Sequence, residues 1–233
     1  MARAQTDMRV CSISAPKTGS HMMGFGMGLP TAPIYYLKSG GVKGEFRSSD
    51  EQIQVLDSWK REGIWAHISY SDKLQQYIQK RFTAAVFIRR DPRDVVVSMA
   101  HYLNKYPTST TDLRAPTFSI SELEWDERLL WLITHMGLIL PHYTGWIRDE
   151  VYQVKYEDVV DDRVGEFTKL QVYLEGLGLH PPPGEKMAEM SRNPHKLSFR
   201  RGKHGDWRDE FSARHVEWAN KYLGHVMNDW GYA

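Results

Sequence analysis

Cysteine is almost missing: Cys11 is the only one in 233 residues. A lone cysteine cannot form an internal disulfide, which excludes a disulfide-stapled secreted scaffold and fits a reducing compartment. It lies in an apolar stretch and reads as a small core residue. An excess of one charge is missing too. Lys and Arg total 30 against 29 for Asp and Glu, so the balance gives no support to a nucleic-acid or membrane-surface partner, and any basic site has to be local. Long hydrophobic runs are also absent. The most apolar helical stretch, Leu129 to Leu140, covers 12 residues and includes Thr134 and His135, well short of the roughly 20 needed to span a bilayer. It reads as a buried core helix. The amino end, Met1-Ala-Arg-Ala-Gln-Thr-Asp7, is too short and polar for a signal peptide. These absences point to a cytoplasmic protein with no membrane span. Composition shows no break, and the apolar share of 41% suffices for a substantial core, so residues 1–233 read as one domain.

What is present begins with Val86-Phe-Ile-Arg-Arg-Asp-Pro-Arg-Asp-Val-Val-Val-Ser98. Thr83 to Ile88 is apolar and β-branched enough for a parallel strand covered on both faces. Asp91 then offers an N-cap and Pro92 a first helical residue. Arg89 and Arg90 therefore fall at the carboxyl end of a strand beside a helix N-terminus, where open α/β sheets bind anions. This stretch predicts a phosphate site.

Upstream, Met8 to Ser14 reads as a strand, and Ala15-Pro-Lys-Thr-Gly-Ser-His21 as a loop entering a helix. The Walker A pattern Gly-x-x-x-x-Gly-Lys-Ser/Thr does not occur. The physics is nonetheless similar, since Gly19 lets backbone N–H groups turn toward an anion and Lys17 supplies a point charge. An ordinary turn would have the same composition. The methionines and aromatics that follow (Met22, Met23, Phe25, Met27, Tyr35) suit either a pocket for a greasy ligand or an irregular core. Ser49 to Arg61 predicts a helix, and Gly63 to Ile68 a short strand that places His67 near its carboxyl end.

Residues 106 to 120 have the length of a lid or binding loop and are a candidate acceptor gate. Helical periodicity runs from Glu122 to Ile147, with a stop at Pro141. Val151 to Tyr156 predicts a strand, Val164 to Gly176 a helix, and Ser212 to Trp230 the last helix. Between these, Ser198 to Arg208 gathers five basic side chains counting His204, which is unusual in a nearly neutral chain.

Three of these segments, in this order and spacing, resemble the PAPS-dependent sulfotransferase family, PAPS being 3′-phosphoadenosine 5′-phosphosulfate. Ala15-Pro-Lys-Thr-Gly-Ser20 is similar to the family's 5′-phosphosulfate loop, Ile88 to Ser98 to its 3′-phosphate segment, and Arg200-Arg-Gly-Lys-His-Gly-Asp-Trp207 to its carboxyl-terminal motif. Tyr156-Glu-Asp158 also looks like a family segment. The resemblance covers nearly the whole chain and implies a three-layer α/β/α fold around a mostly parallel sheet with a P-loop-like phosphosulfate loop. It implies sulfuryl transfer from PAPS to a small-molecule hydroxyl acceptor, leaving adenosine 3′,5′-bisphosphate (PAP), with no metal.

Carried over by position, Pro16, Lys17, Thr18, Gly19, Ser20 and His21 would form the 5′-phosphosulfate site. Arg90 and Ser98 would hold the 3′-phosphate, and Arg200, Arg201 and Gly202 would close over it. Tyr156 would contact adenine or be a core tyrosine. His67 stands where many cytosolic-type members carry their catalytic histidine; His21, next to the loop, is a competing base. A neutral imidazole could take the acceptor's proton, and Lys17 could stabilise charge on the leaving oxygen. Two positions depart from the family pattern: Met22 replaces a tryptophan that stacks on adenine, and Trp65 replaces a lysine two residues before the histidine. A small-metabolite kinase and a nucleotide-binding module without catalysis are the alternative readings.

Overall fold

The computed structural model describes residues 8–30, 48–59, 62–105, 120–192 and 202–233. Four strands, β1 (Val10–Ser14), β2 (Ile64–Ala66), β3 (Ala84–Arg89) and β4 (Tyr152–Lys155), form one sheet in the order β2-β1-β3-β4. Every pairing is parallel. Strands β1 and β2 are buried along their whole length; β2 reads as a short apolar run for that reason, whereas Ser12 and Ser14 give β1 an alternating pattern. Chain order reverses across β1, whose neighbours β2 and β3 lie on opposite sides. That places a crevice outside its carboxyl end, the usual ligand position in such sheets.

Side chains alternate across a sheet with period two, so register assigns the faces. Ser12 pairs with Trp65 and Val86, and Val86 with Tyr152. Met8, Val10, Trp65, Val86, Ile88 and Val154 thus share one face. It is covered by α1 (Ser20–Gly26), α8 (Arg163–Gly176) and α9 (Gly184–Ser191) through Met23, Met27, Phe167, Leu170 and Met187. The opposite face, with Cys11, Ile13, Ile64 and Phe87, is covered by α2 (Ser49–Ser58), α3 (Asp72–Arg81), α4 (Pro92–Lys105), α5 (Trp125–Ile139) and α11 (Ala213–Trp230). The architecture is the expected three layers of helix, sheet and helix. The remaining elements are the short helices α6 (Pro141–Thr144), α7 (Tyr156–Asp161) and α10 (Trp207–Glu210) and a 3₁₀ turn at Ile120–Glu122.

Element ends follow local chemistry. A capping box opens α2: the Ser48 hydroxyl accepts from the Glu51 N–H, and the Glu51 carboxylate accepts from the Ser48 N–H. The helix stops at Ser58, three residues before the expected end. The periodicity from Glu122 to Ile147 resolves into α5 and α6, because Pro141 has no N–H to continue the first helix yet suits the first position of a second. Gly231 ends α11 in the left-handed conformation, φ +75°. Cys11 is fully buried, and burial pushes its thiol pKa well up, so it is inert core. Met23 and Met27 are likewise core; Tyr35 and the expected gate at 106–119 lie outside the described residues. No helix among the described residues is long and apolar enough to cross a membrane.

Candidate active site

The face carrying Val10, Ser12 and Ser14 continues past the strand ends. Counting in twos, Trp65 leads to His67, Ile88 to Arg90 and Val154 to Tyr156. Alternation thus brings three widely separated residues to the same edge, next to the loop that leaves β1. Arg89, one residue earlier, falls on the other face. Its guanidinium donates to the Trp230 carbonyl at 3.1 Å and to Gln153 Oε1 at 2.7 Å. The paired arginines of the sequence therefore separate: Arg89 ties down the end of α11, and Arg90 alone faces the loop.

In that loop Pro16 and Thr18 are buried, and the Thr18 hydroxyl donates to the Ala15 carbonyl at 2.8 Å. Lys17 has φ +67° and Gly19 φ +108°. Glycine is required at 19 for a second reason. A Cβ there would lie 2.8 Å from Tyr156 Cδ2 and 3.0 Å from Ile88 Cδ1. As N-cap of α1, Gly19 has no side chain with which to cap the first-turn N–H groups, an arrangement suited to a bound anion. Lys17 Nζ lies 4.3 Å from the centre of the Tyr102 ring on α4. Ser20 is buried at the first position of α1, and His21 follows with its ring 4.8 Å from that of Trp65 and 5.7 Å from that of Phe25.

Half-buried His67 follows β2 directly. Its Nδ1 lies 2.9 Å from the Ser14 carbonyl oxygen and 3.2 Å from Ser14 Oγ. A carbonyl can only accept, so Nδ1 carries the hydrogen and the lone pair of the neutral ring is on Nε2. Burial first, and the nearby Lys17 charge as well, hold the pKa down to about 4, against the opposing pull of the Ser14 bond. His135 is held down to about 4 by burial alone and stacks on Trp131 at 4.5 Å.

For both histidines the folded pKa lies below the ordinary value of about 6.5. Between about pH 6.5 and 4 the unfolded chain takes up protons that the folded chain refuses, so stability is present above this window and declines as pH falls through it. Urea midpoints measured from pH 7 down to pH 4.5 are expected to decrease, and to decrease less in His135→Gln. An equal decline in that variant would show that His135 does not contribute.

Arg90 is buried. Its Cζ lies 4.3 Å from the centre of the Tyr156 ring, and its Nη2 donates to the Lys203 carbonyl at 3.2 Å. Nε has no hydrogen-bond partner among the described residues. Asp94 offers the guanidinium only a long contact, 3.8 Å from Nη2. A buried arginine with an orphaned N–H is incomplete by itself and suits an incoming phosphate oxygen. Tyr156 therefore holds Arg90 and the Gly19 turn together, which favours a packing role over adenine contact. Its neighbour Glu157 accepts the Asp91 N–H at 3.0 Å and the Tyr232 hydroxyl, tying the carboxyl end of β3 to the end of the chain.

Asp91 caps α4 as the sequence predicts, accepting from the Arg93 N–H at 2.9 Å. Along α4, residues 94, 98 and 102 recur at four-residue spacing and share one side. Half-buried Ser98 thus lies between Asp94, which reaches Arg90, and Tyr102, which carries Lys17. Gly202, at φ +63°, opens the described part of the carboxyl-terminal segment; Arg200 and Arg201 lie outside the described residues. Sequence reasoning missed Asp94. An acid at the third helical position normally complements its own helix dipole, and nothing local in the sequence announces that this one is 1% exposed and bonded to residues 205 and 207. Among the described residues no cluster of three His, Cys, Asp or Glu side chains could hold a metal ion.

A family model described as "Sulfotransferase domain" matches residues 10–231. No curated protein matches the chain. Among solved structures, mouse sulfotransferase SULT7A1 complexed with PAP superposes with a TM-score of 0.63 at 20% identity, covering 100% of this chain and 90% of that one. Retinol dehydratase in complex with androsterone and PAP superposes at 0.59 with 15% identity, covering 96% and 82%. The same enzyme with retinol and PAP gives 0.56 at 16% identity, covering 94% and 81%. With the model matched over almost the whole chain and the fold shared with such enzymes, this protein belongs to the sulfotransferase family.

Proposed function

We propose that this protein is a cytoplasmic, single-domain sulfotransferase that moves the sulfuryl group of PAPS to the hydroxyl of a small lipophilic phenol or alcohol. The observation that carries the reading is the bond from His67 Nδ1 to the Ser14 carbonyl. It favours the neutral tautomer with the lone pair on Nε2, at the root of the loop that bears Lys17. As the acceptor oxygen forms its bond to sulfur, its proton passes to His67 Nε2. The bond from sulfur to the bridging oxygen breaks, and the electron pair stays on the leaving bisphosphate, where the Lys17 ammonium offsets the developing charge. Lys17 and the loop N–H groups of Thr18, Gly19 and Ser20 hold the 5′ end. Arg90 and Ser98 hold the 3′-phosphate, with Arg200, Arg201 and Gly202 over it. The orphaned Arg90 Nε supports a ligand bearing a 3′-phosphate, as do the PAP-bound solved relatives. Retinol and androsterone in two of them support a lipophilic acceptor, and the single buried Cys11 is consistent with a reducing compartment.

The test is a pair of titrations followed by an acceptor screen. PAP is expected to bind at least tenfold more tightly than ADP or ATP, and labelled PAPS to label phenols or alcohols in a panel. Preference for ATP would favour a kinase. Tight PAP binding with no transfer to any acceptor would leave a nucleotide-binding module.

A further inference from the structure

Asp94 is the most deeply buried carboxylate at the site, yet nothing in the proposed transfer uses it. Its Oδ2 accepts the Gly205 N–H at 2.6 Å and its Oδ1 the Trp207 N–H at 3.1 Å. Both donors belong to the segment that crosses back over the start of α4. That crossing is reinforced on its other side, where the Trp207 ring lies 4.1 Å from the Arg93 guanidinium and 4.7 Å from that of Arg208. Gly205 takes φ +81°, and this left-handed turn lets N–H groups two residues apart reach one carboxylate. The same segment supplies the Lys203 carbonyl that accepts from Arg90 Nη2.

We infer that Asp94 is a positioning residue that seats the Lys203–Trp207 segment and through it aims Arg90 at the 3′-phosphate of the donor. The geometry separates two jobs that a carboxylate beside an arginine could do. A bidentate ion pair would bring both oxygens within about 3 Å of the guanidinium and neutralise it. Here the approach is 3.8 Å, and both oxygens are directed to backbone N–H groups instead. The guanidinium thus makes no bidentate bond to Asp94 and keeps one N–H without a partner among the described residues, while its direction is set by the Lys203 carbonyl and the Tyr156 ring. Without Asp94, two partly buried N–H groups lose their acceptor, the segment shifts, and Arg90 loses the carbonyl that orients it. The effect falls on the 3′ end of the donor, because the 5′ end is held by the loop after β1. This inference rests on the PAPS reading of the site.

The experiment measures affinity for PAP and for adenosine 5′-monophosphate, which lacks the 3′-phosphate, in the wild type, Asp94→Asn and Asp94→Ala. Asparagine keeps the shape and one acceptor but turns an NH₂ group toward one of the two N–H donors. The ratio of PAP to monophosphate affinity is expected to fall at least tenfold in both variants, with monophosphate affinity within threefold of wild type. A ratio equal to wild type overturns the inference, whether the separate affinities are unchanged or drop together as a general loss of structure would make them. Should the alanine variant fail to fold, the asparagine ratio decides alone. A wild-type protein that does not prefer PAP to the monophosphate would overturn the donor reading itself, and the role of Asp94 with it.

Discussion

His67→Ala is expected to lower turnover with PAPS by about 10²–10⁴-fold, the usual contribution of a positioned general base, while PAP binds as in the wild type. The split follows from placement. The imidazole contacts β1 through the Ser14 carbonyl, away from Arg90 at the carboxyl end of β3, so its loss removes the proton acceptor and leaves the 3′-phosphate contacts in place. A neutral ring at pH 7 follows from a pKa held down near 4 by burial. Turnover should therefore not rise between pH 6 and 7 in the manner of an ordinary surface histidine. The alanine variant is also expected to be no less stable at pH 5 than at pH 7 on account of this position, since it deletes a group that the folded state keeps unprotonated at some cost. Full activity in His67→Ala together with loss in His21→Ala would transfer the role of base to His21, whose ring packs against Trp65 and Phe25.

The second large effect is expected at Lys17. Its backbone has φ +67°, the only described non-glycine residue with positive φ. Such a conformation costs of order 1–3 kcal/mol and persists where surrounding structure enforces it, commonly at functional sites. Fully buried Thr18, bonded to the Ala15 carbonyl, and Gly19 pressed against Tyr156 enforce it here. Lys17→Met retains the aliphatic length and an apolar contact with Tyr102 but removes the charge. Its turnover is expected to fall by about 10²–10³-fold, the range found when one group that stabilises transition-state charge is removed. PAP affinity should fall as well, because in PAP the former bridging oxygen carries its full negative charge and Lys17 helps to hold that 5′ end, so binding has to be separated from chemistry. Single-turnover transfer from labelled PAPS with each protein saturated measures the chemical step directly. A rate within threefold of wild type would show that the Lys17 charge does not act in that step.

Chain-local chemistry was legible without coordinates. An apolar run marked the strand Ala84–Arg89, alternation marked Val10–Ser14, and Asp91-Pro92 announced the start of α4. Gly19 marked the phosphate-type turn, and a histidine at the end of a short apolar strand pointed to His67. These signals depend on neighbours within a few residues, where backbone geometry and side-chain period leave few alternatives.

Tertiary packing decided which of those residues work together. Arg89 and Arg90 are adjacent and chemically identical, and only sheet pleating assigns one to the end of α11 and the other to the site. Tyr156 offered both an adenine contact and a core role in the sequence; its position over Arg90 and against Gly19 depends on pairing between β1, β3 and β4. Ser98 comes to lie between Asp94 and Tyr102 only because the turns of α4 stack residues four apart. The sequence alone carried the strands, the helix starts, the glycine turn after β1 and the place of His67 at a strand end, since each is written in contiguous residues. Which arginine lies beside Tyr156, and that a buried Asp94 bonds a segment more than a hundred residues away, was decided by the tertiary structure, because contacts across such separations leave no local pattern in the chain.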